Sequence, residues 1–139
     1  MNSSVYKTFD EAEMLSLGKT IAHKLQTGDV VYLQGQLGAG KTTLVKGILQ
    51  ELGYKNAVKS PTYTLVETYS LDRYTLYHFD LYRLSDAEEL EWMGIRDYFQ
   101  NETVSLIEWP EKGQGVLPTA DKQILIEYHG QGRKITLFE

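Results

Sequence analysis

The 139 residues suit a single domain, 1–139, with a core of its own, and 42% apolar with 24% charged residues is an ordinary globular composition. No apolar run nears the ~20 residues of a membrane helix, the opening MNSSVYKTFDEAE lacks the basic-then-apolar pattern of a secretion signal, and the absence of cysteine excludes disulfides, thiolate zinc sites and cysteine nucleophiles while suiting a reducing cytoplasm. A net charge of −5 with four scattered arginines, Arg73, Arg83, Arg96 and Arg133, argues against tight nucleic-acid binding by this chain alone and leaves such contact to a protein partner.

In chain order, Thr8 and Glu11 have the spacing of a capping box, which predicts a helix start. Met14, Gly18, Ile21, Ala22 and Leu25 then recur on one helical face, with Gly28 as the stop. Asp29 to Gln34 is a short apolar run that reads as a buried strand. Gly35 to Gly40 is a glycine-rich loop, and Lys41 to Leu52, rich in helix formers and followed by Gly53, predicts a helix. Thr62 to Tyr69 and Tyr74 to Leu84 are rich in β-branched and aromatic residues and flank Ser70 to Arg73, the pattern of a β-hairpin. Ser85 and Glu88 repeat the capping-box spacing before a short helix toward Trp92, with Gly94 as its end. Thr103 to Ile107 is another apolar strand, closed by Glu108-Trp109-Pro110. Lys112 to Thr119 reads as a loop, and Ile124 to His129 with Arg133 to Phe138 as a last hairpin around Gly130-Gln131-Gly132. No repeat, low-complexity tract or linker interrupts the chain.

The segment Gly35-Gln36-Leu37-Gly38-Ala39-Gly40-Lys41-Thr42 fits G-x-x-x-x-G-K-[ST]. A triphosphate carries dense negative charge, and a loop whose backbone N–H groups point inward binds it without side chains. Glycine lets the backbone turn and approach that closely, and the helix that follows adds its positive N-terminal end. Lys41 is placed to reach the β- and γ-phosphates, and the Thr42 hydroxyl to take one position on Mg²⁺. By residue frequencies alone such a pattern arises on the order of a few times per thousand chains of this size. Here it also lies between a predicted strand and a predicted helix, the context its chemistry requires.

Phosphoryl transfer also needs a carboxylate for Mg²⁺ or its waters and a group that orients the attacking water. Two acids end apolar strands: Asp80 after Tyr77-His78-Phe79, and Glu108 after Val104 to Ile107. Glu108 is favoured as the metal-side carboxylate and Asp80 as the group that polarises water, with the roles interchangeable. Ser60-Pro61-Thr62 fits either a γ-phosphate-sensing switch or an ordinary strand-entry turn. Trp109 fits either stacking near the site or core packing. His23, His78 and His129 lack metal-ligand spacing; His78 reads as part of the sheet and the other two as surface residues. No N-K-x-D segment is present to read guanine, so ATP is favoured over GTP. A small metabolite kinase is the alternative, weakened by the dispersed arginines, which do not suggest a lid. A nucleotide-gated binding module without hydrolysis is the third reading.

These residues, taken together, resemble the bacterial TsaE family, also called YjeE or YdiB. The carriers are the T-F-D-E-A-E opening, the Gly28-to-Thr43 block, Ser60-Pro-Thr-Tyr-Thr-Leu-Val66, His78-Phe-Asp-Leu-Tyr-Arg83, Glu88-Glu-Leu90 with Gly94, and Ile107-Glu-Trp-Pro110. They cover nearly the whole chain, and the last sets are narrower than the phosphate loop. The resemblance implies a P-loop NTPase three-layer α/β fold with a mixed sheet and antiparallel hairpins. It implies a weak, partner-dependent ATPase required for N6-threonylcarbamoyladenosine (t6A37) formation in tRNA, with ATP and Mg²⁺ bound. The implied partners are TsaD, the transferase subunit, and TsaB, its non-catalytic paralogue, whose complex ATP binding and hydrolysis would reset or regulate between turnovers. Carried residue by residue, Gly38, Ala39, Gly40, Lys41, Thr42 and Thr43 match phosphate binders, Thr42 and Glu108 the magnesium ligands, and Asp80 a position important for hydrolysis. Phe9, Glu11 and Arg133 lie where the family contacts the nucleotide outside the loop. Gln36 departs from the Asp or Glu often found there, at a position that faces away from the phosphates in most such loops.

Overall fold

The computed structural model describes residues 2–139 as one seven-stranded mixed sheet with helices on it. The elements are β1 (Ser3–Thr8), α1 (Glu11–Ala22), β2 (Val30–Gly35), α2 (Lys41–Glu51), β3 (Val66–Ser70), β4 (Thr75–Asp80), α3 (Glu88–Trp92), β5 (Thr103–Glu108), β6 (Lys122–His129) and β7 (Gly132–Phe138). Two short 3-10 turns, Ile95–Tyr98 and Pro110–Gly113, lie before and after β5. The strand order is β1-β7-β6-β2-β5-β4-β3. β6, β2, β5 and β4 are mutually parallel; β7 and β3 pair antiparallel with β6 and β4, and β1 pairs antiparallel with β7. The central strands bury both faces, which explains their nearly continuous apolar runs. Among the described residues, no helix is long and apolar enough to cross a membrane.

Most of the expected elements are present. Differences arise where local signals compete with pairing. Ser3 to Thr8 form an edge strand, absent from the sequence reading, because they pair with β7 at the other end of the chain, Ser3 opposite Phe138 and Thr8 opposite Arg133. That pairing draws Thr8 into the sheet, so the cap of α1 is Asp10: its side chain accepts the Glu13 N–H at 2.8 Å, and Glu13 accepts the Phe9 N–H at 2.7 Å. The Thr8–Glu11 box is therefore corrected to Asp10–Glu13. α1 also stops at Ala22 rather than at Gly28, which instead turns the chain into β2 with φ +94° and donates its N–H to Thr103 O. The second capping box also departs from expectation, α3 beginning after Ala87 with no side-chain cap. Ser85 and Asp86 both donate backbone N–H groups to Glu89, and Asp86 accepts from Glu88. The β3–β4 hairpin has the expected pairing, Val66 opposite Phe79 and Ser70 opposite Thr75, with shorter strands than expected.

α1 and α2 cover one face of the sheet over a core that includes Ile21, Leu44, Ile48, Leu33, Leu106 and Ile135. α3 and the 3-10 turns cover part of the other face over Phe79, Leu90, Ile95 and Ile107. The helix pair packs backbone to backbone at Gly18 and Gly47: a Cβ on Gly47 would lie 2.2 Å from Leu15 O, and one on Gly18 2.4 Å from Leu44 O. Gly47→Ala ordinarily gains up to about 1 kcal/mol in a helix. Here the expected outcome is a loss of about 1–3 kcal/mol by overpacking, seen as a lower urea midpoint at unchanged slope. An unchanged or raised midpoint contradicts this close approach.

Candidate functional site

β2, β5 and β4 end side by side, and the site lies at that carboxyl edge, where ligands bind in open α/β sheets. Leu33 is paired with Glu108, and Glu108 with Asp80. The chain leaves β2 at Gly35, crosses Gln36 to Gly40 and enters α2 at Lys41. Gly38 and Gly40 have φ +80° and +112°, a region costly to any residue with a Cβ. Every carbonyl from Gly35 to Ala39 accepts a hydrogen bond. Lys41 Nζ donates to Gly35 O (2.7 Å), the Ala39 N–H to Gln36 O (3.1 Å), Tyr128 OH to Leu37 O (3.0 Å), and Arg133 to Gly38 O (3.5 Å) and Ala39 O (3.1 Å). With the carbonyls tied down, the Gly38 and Gly40 N–H groups have no hydrogen-bond acceptor among the described residues, while the Ala39 N–H is taken by Gln36 O. α2 has no side-chain cap, and its first backbone bond runs from Leu44 N–H to Gly40 O. The amides of Lys41, Thr42 and Thr43 are therefore left for an anion.

A cavity of about 280 Å³ lies under this loop and is lined by Gly38, Gly40, Lys41, Thr42 and Thr43 together with Ser60, Thr62, Asp80 and Glu108. The two acids are almost fully buried, Asp80 at 5% and Glu108 at 4% exposure. Glu108 Oε1 lies 3.6 Å from Lys41 Nζ, and Glu108 Oε2 is 2.5 Å from His78 Nε2. Asp80 Oδ1 accepts the Tyr82 N–H, and Oδ2 accepts the Thr62 hydroxyl at 3.1 Å. Thr62 also bonds Ser60, and the Asp80 N–H donates to Leu65 O. Ser60 to Leu65 is thus fastened to the Asp80 end of β4, with Ser60 and Thr62 on the cavity. Trp109 presents its ring 4.6 Å from Lys41 Nζ and stands at φ +56° ahead of a proline, an uncommon conformation for a bulky residue.

A second cavity, about 330 Å³, shares Gly38, Gly40 and Thr43 with the first and is walled by Ala39, Phe9, Glu11, Met14 and Arg133. The two wrap the start of α2 as one cleft. Phe9 is 66% exposed and Arg133 stacks on Tyr128. The β1–β7 pairing brings Phe9 and Glu11 to Arg133. Gly35 lines neither of these cavities, its part being the carbonyl that holds Lys41. All the other sequence-predicted site residues fall in the cleft. Sequence reading missed three features: the Tyr128 and Arg133 braces, the Thr62–Asp80 link, and His78. The signal for His78 was present, since H-x-D on a strand places both side chains on one face.

The donor set is two carboxylates and a hydroxyl beside a phosphate-sized cavity, which suits Mg²⁺, an ion that keeps several waters and takes one or two carboxylates plus phosphate oxygens. Among the described residues, no group of three or more His, Cys, Asp or Glu is arranged to hold a metal by itself.

The family model for the threonylcarbamoyl adenosine biosynthesis protein TsaE matches residues 8–135. The chain is 56% identical over 133 residues to the tRNA threonylcarbamoyladenosine biosynthesis protein TsaE of Haemophilus influenzae, covering 92% of this chain and 84% of that protein. It is 38% identical to the protein of the same name from Bacillus subtilis, covering 98% and 85%. The crystal structure of Bacillus subtilis YdiB superposes with a TM-score of 0.82 at 32% identity, covering 98% of this chain and 84% of that one. The glycine loop, its two strand-end acids and the match across residues 8–135 therefore place this chain in the TsaE family.

Proposed function

We propose that this chain is a P-loop NTPase, a Mg²⁺-dependent ATPase subunit acting in t6A formation in tRNA, the process named for its relatives. The observation that carries the proposal is the loop whose five carbonyls are all bonded, beside a cavity lined by Gly38, Gly40 and Lys41 to Thr43 together with Asp80 and Glu108.

In this reading the amides of Gly38 and of Gly40 to Thr43 cradle the β- and γ-phosphates. Lys41 leaves Gly35 O for phosphate oxygens, the stronger charge-assisted partner. Thr42 and Glu108 hold Mg²⁺, whose chemistry is to neutralise charge gathering on the phosphate oxygens. Asp80 orients the attacking water, and Thr62, bonded to it, reports on the γ-phosphate to the Ser60–Leu65 segment. Phe9, Glu11 and Arg133 flank the nucleoside end. The cysteine-free composition suits a cytoplasmic setting.

The partners in this reading are TsaD and TsaB, whose complex is reset by ATP turnover on this chain. The test is phosphate release measured with and without purified TsaB–TsaD. Slow turnover alone and faster turnover with the complex is the expected result. A complex that neither binds the chain nor changes its turnover contradicts the assignment.

A further inference from the structure

We infer that His78 is a positioning residue that fixes which oxygen of Glu108 faces the phosphate cavity; the inference rests on the nucleotide-and-Mg²⁺ reading of that cavity. His78 is fully buried in β4, on the face that carries Asp80 two residues on. Its pairing partner Leu106 stands two residues before Glu108. The surroundings are apolar, with Leu76 and Leu106 among the buried neighbours along the two strands. An aliphatic or aromatic side chain would pack there without a polar group to satisfy. Among the described residues the imidazole instead has one partner, Glu108 Oε2 at 2.5 Å, and its buried Nδ1 has none. A buried nitrogen left unpaired is a standing cost, so the contact with Glu108 is what the histidine provides.

That contact divides the labour of the carboxylate. Oε2 is held by the Nε2–H, and Oε1 is left to face the cavity, 3.6 Å from Lys41 Nζ. Without His78, Glu108 is free to rotate and to close both oxygens on the Lys41 ammonium, the nearest cation. Lys41 would then be held back from the phosphates, and no carboxylate oxygen would point at the ion. Partners that orient a metal-binding side chain are worth ~10–100-fold in metal affinity or activity.

The test compares His78→Phe, which keeps a flat ring and loses the donor, with His78→Gln, whose amide reaches the place of Nε2, and His78→Asn, whose shorter amide does not. Mn²⁺ binding is followed by electron paramagnetic resonance with a non-hydrolysable ATP analogue present. Calorimetry gives the affinity for the analogue without metal. The expected result is an Mn²⁺ half-saturation raised about tenfold or more in His78→Phe, with metal-free analogue affinity lowered by a clearly smaller factor and most of the Mn²⁺ affinity restored in His78→Gln. If His78→Phe is not folded at the assay temperature, Gln restoring and Asn not restoring carries the same conclusion. Unaltered Mn²⁺ affinity in the folded variants, or equal loss of Mn²⁺ and metal-free analogue binding, overturns the inference. A wild-type chain that binds no Mn²⁺ with the analogue overturns the site reading itself, an outcome visible before any variant is made.

Discussion

Lys41→Ala is expected to lose nucleotide binding and hydrolysis together. The ammonium is almost fully buried at the floor of the loop, held by Gly35 O and facing Glu108 and the Trp109 ring. A hydrogen bond to a charged group is worth about 1.5–3 kcal/mol, so affinity should fall by roughly 10–100-fold. Removing one preorganised donor to a developing charge costs about 10²–10³ in rate, so phosphate release should fall by at least that factor. Calorimetry with a non-hydrolysable analogue and a phosphate-release assay read the two effects separately. Retained hydrolysis in Lys41→Ala contradicts the placement of the γ-phosphate.

Glu108→Gln should separate the same two quantities. The substitution keeps the shape and an oxygen for His78 and removes a buried negative charge next to the phosphate cavity. Analogue binding without metal should therefore hold or tighten, because repulsion between carboxylate and phosphates is gone. Hydrolysis should fall on the order of 10²–10⁴-fold, the loss expected when several kcal/mol of charge stabilisation at a metal is removed. Excess Mg²⁺ should recover part of it. Asp80→Asn differs: Asp80 is engaged by Tyr82 N–H and Thr62 OH, so its loss should lower the rate without changing the Mg²⁺ concentration needed for half activity. If the Mg²⁺ requirement moves in Asp80→Asn and not in Glu108→Gln, the two roles are exchanged.

The glycine loop was legible because each residue in it has a local reason: glycines where φ is positive, a lysine and a threonine at the start of a helix. The central strands were legible because burial on both faces leaves an apolar run. β1 was not. Its residues, Ser-Ser-Val-Tyr-Lys-Thr, alternate in exposure at a sheet edge, and they pair with β7, more than a hundred residues away. The capping register failed for a related reason. T-F-D-E-A-E contains two overlapping boxes, Thr8 with Glu11 and Asp10 with Glu13, and only the tertiary pairing of Thr8 with Arg133 selects the second. Phe9, Glu11 and Arg133 gained a shared cavity through that same pairing, which residue spacing does not encode. His78 was read as sheet, and it is, but its hydrogen bond crosses to a neighbouring strand whose register is set only in the folded state.

The most direct test of a cradle of backbone amides is titration of the wild-type chain with a non-hydrolysable ATP analogue, with and without Mg²⁺, in a calorimeter. One molecule bound per chain, tightened by Mg²⁺, is the predicted result. No heat with any nucleoside triphosphate, in either condition, would contradict it.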